Sequence, residues 1–425
     1  MSIANIMRIP HIRPALLFLA AVLVSSLPLA AGMGLFKSFI VLVFLISILG
    51  SLFYWERRLG FMFIGNAIYL LIGAVPPEDF IRYASLEVIL FLISMMIVVG
   101  MMKDAGLFEW LLMLILRLPR LTGRSMFMIL MVISAIFSAL MGEVASIMIM
   151  AVTIINICDL LEIDPVPLVI CCIMATNIGS AATVLGNPVG ILIASNSGLS
   201  FEDFLIHAMP NVAVNLVLTL LVLLVIYRRY LNAATEKLRE FTENHAFIHL
   251  ITIPSDRKTK VSIGIFAVTI ILIALHRRLE MLIGLEENTL LLMFPILSAG
   301  VVLMYRYDRS RRYIENEIEW PSIIFFMFLF AQAGVIHATG VAETLAKHIF
   351  DFAGSPQVIQ GLILISSGLL SSILDNVVAV ATYIPLIKEL MTLTGDGNEL
   401  WWPLLYGACY GGNITMIGST ANIVA

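Results

Sequence analysis

The chain has 425 residues, of which 60% are hydrophobic and 13% are charged, and its formal net charge is −4. The charged share is about half that of a typical soluble protein, and the mean hydropathy is +1.01. So few charges cannot cover a soluble protein of this size, which excludes a cytosolic enzyme, a nucleic-acid-binding protein and a disordered chain. The composition predicts an all-α polytopic membrane protein that lies in the lipid bilayer and contacts its lipids.

Apolar segments recur along the chain at lengths near that of a membrane crossing, which needs roughly 20 residues. In chain order they are 15–31, 37–54, 60–75, 86–102, 125–141, 143–158, 166–195, 208–227, 261–275, 290–305, 321–338, 357–373, 377–391 and 403–425. Several are short or contain Gly, Pro and Asn, which predicts interrupted helices. The first segment has an alternative interpretation as a signal peptide, because a basic start and an apolar middle precede two alanines and a glycine.

The distribution of Lys and Arg orients these segments, because cytoplasmic loops carry an excess of positive charge. Basic residues cluster in the N-terminus, 103–124, 228–260 and 306–319, and are absent from 32–36, 196–206 and 392–402. We therefore expect a prokaryotic-type inner or plasma membrane protein with a cytoplasmic N-terminus. The exceptions are Arg82, Arg277 and Arg278, and we expect Glu280, Glu286 and Glu287 to offset the last two.

The chain resembles itself when it is shifted by about 233 residues. Residues 104–109 match 338–343, residues 138–144 match 371–377, and residues 179–186 match 411–418. The alternative is accidental similarity among apolar segments, but Gly, Asn, Asp and Thr carry these matches. The charge pattern orients 86–102 and 321–338 in opposite directions, so the repeats are predicted to be inverted. Inverted repeats with interrupted helices are typical of secondary transporters, whose sites lie near the midplane of the membrane.

The repeat divides the chain into four predicted parts. They are N-terminal scaffold helices at 1–59, a first repeat at 60–230, a cytoplasmic linker at 231–260 and a second repeat at 261–425. The first repeat contains a predicted re-entrant hairpin at about 125–158 and an interrupted helix at about 166–195; the second has its hairpin at about 357–391 and its interrupted helix at about 403–425. In the alignment Ala425 corresponds to Ile193, so a final helix is expected to be lacking, and a truncated, non-transporting protein is one alternative.

Four interruptions break the apolar segments, at Gly142-Glu143, 176–188, Asp375-Asn376 and 411–422. Unwound backbone survives in a membrane only where it lines protein or water. Its free carbonyls can coordinate Na+, and helix N-termini suit an anion. A carboxylate at each hairpin tip, Glu143 or Asp375, is a functional hypothesis because burial in a membrane is costly. Either one can hold Na+ or carry a proton; the alternative is that both tips reach water and the acids cap helices.

No nucleotide-binding loop, serine-hydrolase elbow or zinc-protease motif occurs in the sequence, so we expect no enzyme activity and no cofactor. The four cysteines lack paired spacing, so neither disulfides nor a zinc site is expected. A coupling ion, Na+ or H+, is expected near Glu143, Asn177, Asp375 and Asn413. The full predicted ion- or substrate-binding set is Gly142, Glu143, Asn177, Gly179, Ser180, Thr183, Asn187, Asp375, Asn376, Gly412, Asn413, Thr415 and Asn422.

The sequence of these interruptions, over about residues 60–425, resembles the ion transporter superfamily, and specifically its ArsB/NhaD-type permeases. The most specific segments are 176–188, 374–377 and 411–422. That family includes arsenite permeases, Na+/H+ antiporters and the melanosomal P protein, and sodium–dicarboxylate symporters are distant relatives. The resemblance implies a scaffold domain, a transport domain with two re-entrant hairpins and two unwound helices, a homodimer, and elevator-like motion.

Three features depart from the family pattern. The first hairpin tip is Gly142-Glu143 where family members commonly have Asp-Asn, and residues 186–190 read Gly-Asn-Pro-Val-Gly where Gly-Asp-Pro-Pro-Asn is common. Neither tip has the Ser-Asn-Thr signature of the dicarboxylate symporters. The sequence therefore favours an ion-coupled secondary transporter that moves a small inorganic ion or oxyanion by alternating access. The alternatives are Na+/H+ antiport, Na+-coupled carboxylate transport and the truncated protein described above.

Overall fold

A computed structural model of the protein describes residues 34–106, 121–244, 257–395 and 397–425. The described residues form helices and connections without a β-strand. Eight of their helices are long and apolar enough to cross a membrane, or nine if one bent pair counts as a single span. The prediction of an all-α multi-pass membrane protein is thereby confirmed. The predicted span 15–31 with its signal-peptide alternative, residues 107–109 of the repeat match and residues 245–256 of the linker lie outside the described residues.

The helices fall close to the predicted segments. In the first half they are α1 (Leu35–Phe53), α2 (Arg58–Leu71), α3 (Pro77–Tyr83), α4 (Leu86–Asp104), α5 (Gly123–Met141), α6 (Glu143–Leu161), α7 (Val166–Ser180), α8 (Pro188–Ser197), α9 (Met209–Ile226) and α10 (Arg228–Asn244). In the second half they are α11 (Arg257–Ala274), α12 (His276–Ile283), α13 (Thr289–Tyr305), α14 (Trp320–Ala338), α15 (Val341–Ala353), α16 (Pro356–Ile373), α17 (Asn376–Thr394), α18 (Trp401–Gly411) and α19 (Thr420–Val424). Two short π-helical segments, Phe204–Ala208 and Tyr313–Glu317, lie shortly before α9 and α14.

The chain divides into two compact units. The first unit comprises the described residues within 1–89, 319–367 and 377–404. Within it, α1, α2 and α14 are joined through buried polar groups. The hydroxyl of Tyr69 donates to the carbonyl of Ile40 at 2.8 Å, and the Gln332 amide donates to Ser47 Oγ at 3.2 Å. Hydrogen bonds between apolar helices fix their register without requiring contact with water.

The second unit comprises the described residues within 90–318, 368–376 and 405–425, and it contains every predicted site residue. Helices α5 and α7 pack closely in it, because a Cβ atom on Gly179 would lie 2.3 Å from the carbonyl oxygen of Ala135. Only glycine permits this approach, since heavy atoms cannot come so near one another. The interrupted helix is thereby held against the first arm of the predicted hairpin.

The predicted linker 231–260 is not an extended connection over its described part. Its first half belongs to α10, whose apolar face buries Leu231, Ala234 and Leu238 at helical spacing. The Thr235 hydroxyl accepts a hydrogen bond from the backbone N–H of Gly123 at 2.9 Å, which docks α10 on the first turn of α5. The difference arises because a mainly polar segment can still carry a narrow apolar stripe.

The end of α4 is held by a buried ionic cluster around Asp104. Its carboxylate accepts hydrogen bonds from Arg306 at 3.2 Å, from the Tyr313 hydroxyl at 3.0 Å and from Arg309. The side chains of Asp104 and Arg306 are only 9% and 8% exposed. Burial, followed by the charge of Asp104, raises the pKa of Tyr313 to about 12. The cluster joins α4 to the segment that follows α13.

The two unexpected arginines between α11 and α13 are paired with acids. Arg278 lies 2.6 Å from the carboxylate of Glu202, and Arg277 lies 3.8 Å from those of Asp203 and Glu287. The acids neutralise Arg277 and Arg278, which are exceptions to the predicted distribution of Lys and Arg. Glu287 is one of the acids that the sequence indicated, whereas Glu202 and Asp203 are not, because residues 202–203 are distant in the chain from this corner.

Glu280, which we expected to offset these arginines, instead stabilises the start of α13. Its carboxylate accepts the backbone N–H of Leu290 at 2.7 Å and that of Asn288 at 3.3 Å. Free N–H groups at a helix N-terminus favour such a negatively charged acceptor. Between α11 and α12 the chain bends by 61°, so the predicted segment 261–275 ends at this corner.

Candidate functional site

The first hairpin consists of α5 and α6, which meet at Gly142. Each arm has 19 residues rather than the roughly 16 expected from the apolar runs, and so is about 28 Å long. The Ser146 hydroxyl donates to the carbonyl of Ser134 at 3.0 Å, which holds the arms side by side. Gly142 has φ 91° and ψ 152°, a backbone conformation that is essentially restricted to glycine. The tip is therefore sharp, and re-entry of the hairpin into the membrane stays a prediction.

Glu143 begins α6 and is the most deeply buried acid of the predicted set, with 2% of its surface exposed. The Asn376 side-chain amide donates to both of its carboxylate oxygens at 3.1 Å. Ser419 Oγ lies 3.5 Å from Oε1, and the Ser180 and Asn187 side chains also interact with this carboxylate. The hydrogen-bond donors around it are neutral side chains, and the charge of Asp375 acts on it as well.

The interrupted helix α7–α8 supplies one side of this environment. Asn187 caps α8, because its Oδ1 accepts the backbone N–H of Gly190 at 2.9 Å. Its amide nitrogen donates to Ser180 Oγ at 2.8 Å and to Cys409 Sγ at 3.1 Å. The Thr183 hydroxyl donates to a carbonyl at the end of α5, that of Ala139. The break between α7 and α8 is therefore satisfied by specific hydrogen bonds.

The interruption between α18 and α19 uses a closely matching set of contacts. Ser419 caps α19 by accepting the N–H of Ala421 at 3.1 Å, as Asn187 caps α8. The Thr415 hydroxyl donates to the carbonyl of Ser372, as that of Thr183 does to Ala139. A Cβ on Gly411 would lie 2.3 Å from the carbonyl oxygen of Gly368, the same distance as at Gly179 and Ala135. Each pair of matching contacts is separated by about 233 residues, the shift that aligns the two halves of the sequence.

Three asparagines form an amide cluster between the two interrupted helices. The Asn177 amide nitrogen donates to Oδ1 of Asn413 and to Oδ1 of Asn422, both at 2.8 Å. Asn422 in turn donates to the carbonyl of Gly412 at 2.7 Å. The side-chain oxygens of Asn177 and Asn376 are buried and have no hydrogen-bond partner among the described residues. Such oxygens are acceptors available to a cation or a water molecule.

The second acid, Asp375, precedes α17 and is half-buried, so it is less enclosed than Glu143. It accepts a hydrogen bond from the Thr420 hydroxyl. Thr415 lies in an exposed segment, and Gly179 makes a close helix contact. The structure thus brings Glu143, Asn376, Ser180 and Asn187 together, and places Asn177, Gly412, Asn413 and Asn422 in the adjoining amide cluster.

Sequence reasoning missed three side chains that contact the predicted residues, namely Ser419, Thr420 and Cys409. Ser419 could have been found, because the sequence shift aligns it with Asn187, which caps the equivalent helix. Thr420 follows it directly. Cys409 lies within the apolar α18, where a thiol is usually a packing residue, and no sequence signal marked its contact with Asn187.

A multi-pass helical protein with a buried carboxylate between interrupted helices belongs to the class of membrane transporters. Residues 42–407 match the citrate transporter family, and the chain belongs to that family. It is 30% identical to an uncharacterized transporter of Mycobacterium tuberculosis over 347 residues, which cover 80% of this chain and 77% of the relative.

Two more distant relatives extend the comparison. The chain is 25% identical to the P protein of Homo sapiens over 416 residues, which cover 81% of this chain and 49% of the P protein. It is 22% identical to an uncharacterized transporter of Synechocystis over 427 residues, which cover 95% of this chain and 90% of the relative. The predicted resemblance to ion-transporter permeases, with the P protein among them, is confirmed by these matches.

Proposed function

We propose that this protein is an ion-coupled secondary transporter in which Glu143 carries the coupling ion, Na+ or H+. The observation that carries the proposal is the burial of this carboxylate, at 2% exposure, among neutral hydrogen-bond donors. An uncompensated charge in a protein interior costs several kcal/mol. A bound cation or proton removes that cost, and its release restores the cost. The stability of the protein therefore depends on whether the ion is bound.

The surrounding groups suit a small hard cation. The Asn376 amide nitrogen faces Glu143, so its side-chain oxygen points away and is buried with no partner among the described residues, as is that of Asn177. Backbone carbonyls at breaks such as those after α7 and α18 are the kind of oxygen ligand that coordinates Na+ in interrupted transporter helices. A proton bound to Glu143 neutralises the same carboxylate, so Na+/H+ antiport is included in the proposal.

For the transported substrate we propose a small inorganic ion or oxyanion. The N-terminus of α8, capped by Asn187, offers a partial positive charge that suits an anion. A carboxylate is the second candidate, because the family that the chain belongs to is named for citrate. No Lys or Arg is among the predicted site residues, so multivalent citrate would depend on helix ends and a bound cation for its charge balance.

The mode of transport is proposed with the site. The matched contacts at Thr183 and Thr415 support two structurally related halves, and inverted repeats around one site are the basis of alternating access. A homodimer with a cytoplasmic N-terminus completes the proposal. The orientation is supported by the clustering of Lys and Arg in 103–124, 228–260 and 306–319.

Thermal stability of the purified protein tests the site directly. A ligand present at 100 times its Kd stabilises the folded state by about 2.7 kcal/mol, so Na+, Li+, arsenite and citrate are compared at equal ionic strength. We expect Na+, or a fall in pH, to raise the Tm. In Glu143→Gln the basal Tm rises, because the uncompensated charge is gone, and the ion response disappears.

Glu315→Gln is the matched control, because Glu315 is exposed and pairs with Arg311 on the surface. It should retain the full ion response. An undiminished response in Glu143→Gln would overturn the assignment of the site. Proteoliposomes with an internal pH-sensitive dye then separate Na+/H+ antiport, which responds to a Na+ pulse, from transport coupled to Na+ alone. A folded protein with no ion-dependent signal in either assay would favour the non-transporting alternative.

A further inference from the structure

Helix α9 carries polar side chains along one face of an otherwise apolar span. Asn211, Asn215 and Thr219 recur every four residues, and His207 continues the series into the preceding π-helical segment. Residues spaced by four form a continuous ridge on a helix. The span is poorly covered by the rest of the protein, since only 11% of its most apolar stretch is buried. Asn211 is exposed and Asn215 and Thr219 are partly exposed.

Two tyrosines of α18 lie along this ridge. The Tyr406 hydroxyl donates to the carbonyl of His207 at 3.0 Å, and that of Tyr410 donates to Asn211 Oδ1 at 2.9 Å. Asn215 donates to the same oxygen at 3.0 Å. The tyrosine rings stack with their centroids 5.7 Å apart. The two helices therefore share a polar seam, formed by His207, Asn211, Asn215, Thr219, Tyr406 and Tyr410.

The seam is continuous with the candidate site. The residue before Tyr410 is Cys409, whose sulfur contacts Asn187 at 3.1 Å. The carbonyl of Tyr410 accepts the backbone N–H of Asn413 at 3.1 Å, and Asn413 belongs to the amide cluster. The inner end of the seam is thus joined by a backbone hydrogen bond to a residue of the cluster.

Lipid is a poor environment for these groups. Asn211 is exposed on this span, and an amide without a partner in an apolar medium costs roughly 2–7 kcal/mol. Side chains of this kind in a membrane face a protein interior or water. A tyrosine–asparagine contact that served only to join two helices would not require a further exposed amide beside it.

We propose that this polar seam is a water-filled path through which a small hydrated ion or polar solute reaches the amide cluster. The inference rests on the proposed function, because it takes the cluster and Glu143 as the destination. The seam contains hydroxyls and amides and, apart from His207, no titratable group other than tyrosine. It would therefore admit solutes by polarity and size rather than by the sign of their charge.

Thiol labelling in membranes tests the path without requiring transport. Asn211, Asn215 and Val217 are each replaced by Cys in the full chain and exposed to a charged, membrane-impermeant maleimide. Val217 is the control, because it is 53% exposed yet lies about 200° around the helix from Asn215. All four native cysteines are buried, so the unmodified chain gives the background.

A thiol reacts as the thiolate, which forms in water and not in lipid. We expect Asn215→Cys to label at least about tenfold faster than Val217→Cys, and Asn211→Cys likewise. Equal rates at Asn215→Cys and Val217→Cys would overturn the path. So would oxidative cross-linking of Asn211→Cys between two copies, because the seam would then be a protein interface.

Tyr410→Phe separates the path from the site. We expect slower ion uptake with an unchanged Na+-induced rise in Tm, because the path changes and the site does not. Fast labelling combined with no ion response in the unmodified protein would retain the path and refute Glu143 as the ion site. Slow labelling with a normal ion response would refute the path and retain Glu143 as the ion site. Unchanged uptake in Tyr410→Phe would remove this residue from the path.

Discussion

The side-chain amide of Asn376 lies 3.1 Å from both carboxylate oxygens of Glu143, and the two residues are 233 positions apart. Each begins the helix that follows a break, Glu143 at α6 and Asn376 at α17. The aligned halves of the sequence therefore supply one partner each to a single buried pair. One partner is an acid and the other an amide, so the pair carries one negative charge rather than two.

This pairing predicts that the two side chains can be exchanged. Glu143→Asn removes the charge, and Asn376→Glu places two carboxylates in contact, so each single change should abolish the Na+-dependent rise in Tm. The double variant E143N/N376E restores one acid and one amide. We expect it to regain a Na+-dependent rise in Tm that neither single variant shows.

The double-mutant comparison isolates the pair, because residues in contact are coupled by about 0.5–3 kcal/mol. Losses of stability that simply add in the double variant would show that the two side chains act independently. Glu315→Gln again serves as the unrelated carboxylate control.

Gly179 is predicted to be a packing position of the interrupted helix. In Gly179→Ala the new methyl group would lie 2.3 Å from the carbonyl oxygen of Ala135, which forces the helices apart and costs about 1–3 kcal/mol. Gly264→Ala is the control, because nothing lies within 4 Å of that site and Ala favours helix by about 1 kcal/mol. The Tm should fall in the first variant and stay or rise in the second, and equal effects would contradict the close contact.

The Asp104 cluster predicts a large loss of stability on removal of its charge. Asp104→Asn leaves Arg306, which is 8% exposed, without its buried partner, and breaking such a pair costs about 3–5 kcal/mol. Asp79→Asn breaks the exposed pair with Arg82, which is worth about 0–1 kcal/mol. Chemical denaturation or Tm in detergent measures both changes. A similar small effect of the two variants would mean that Asp104 is solvated.

Thr235 is predicted to dock α10 on the base of the first hairpin. Thr235→Val removes the acceptor of the Gly123 N–H, at a cost of about 1–3 kcal/mol for the unsatisfied buried donor, and it should make 228–244 more accessible to protease. Thr235→Ser keeps the hydroxyl and should behave as the unmodified chain. Equal protease sensitivity of the two variants would show that α10 is held by its apolar stripe alone.

Much of the site could be predicted from the sequence, because residue types at the breaks are informative. The repeat aligns Glu143 with Asn376 across the two tips, and glycines mark both interrupted helices. The apolar runs also placed nearly every described span to within a few residues. These features depend on local composition, on spacing and on the repeat.

Other features depend on which distant segments meet in the fold. The hydrogen bonds from Asn177 to Asn413 and Asn422 required the two interrupted helices to lie side by side. Arg278 found its acid at Glu202, and not among its neighbours in the sequence. The polar ridge of α9 is not apparent from composition, because two asparagines leave the mean hydropathy of a long apolar helix high enough for a membrane span.

The backbone at Gly142 explains why the two acids do not occupy equivalent positions. Asp375 aligns with Gly142, but a side chain at φ 91° and ψ 152° is strained by about 1–3 kcal/mol, and the described residues with positive φ do not include Asp375. The first tip can therefore present its acid only one residue later, at Glu143. The resulting stagger of one Cα step, about 3.8 Å, gives the two halves different chemistry at the same bend: one carboxylate enclosed, and the other nearer the surface.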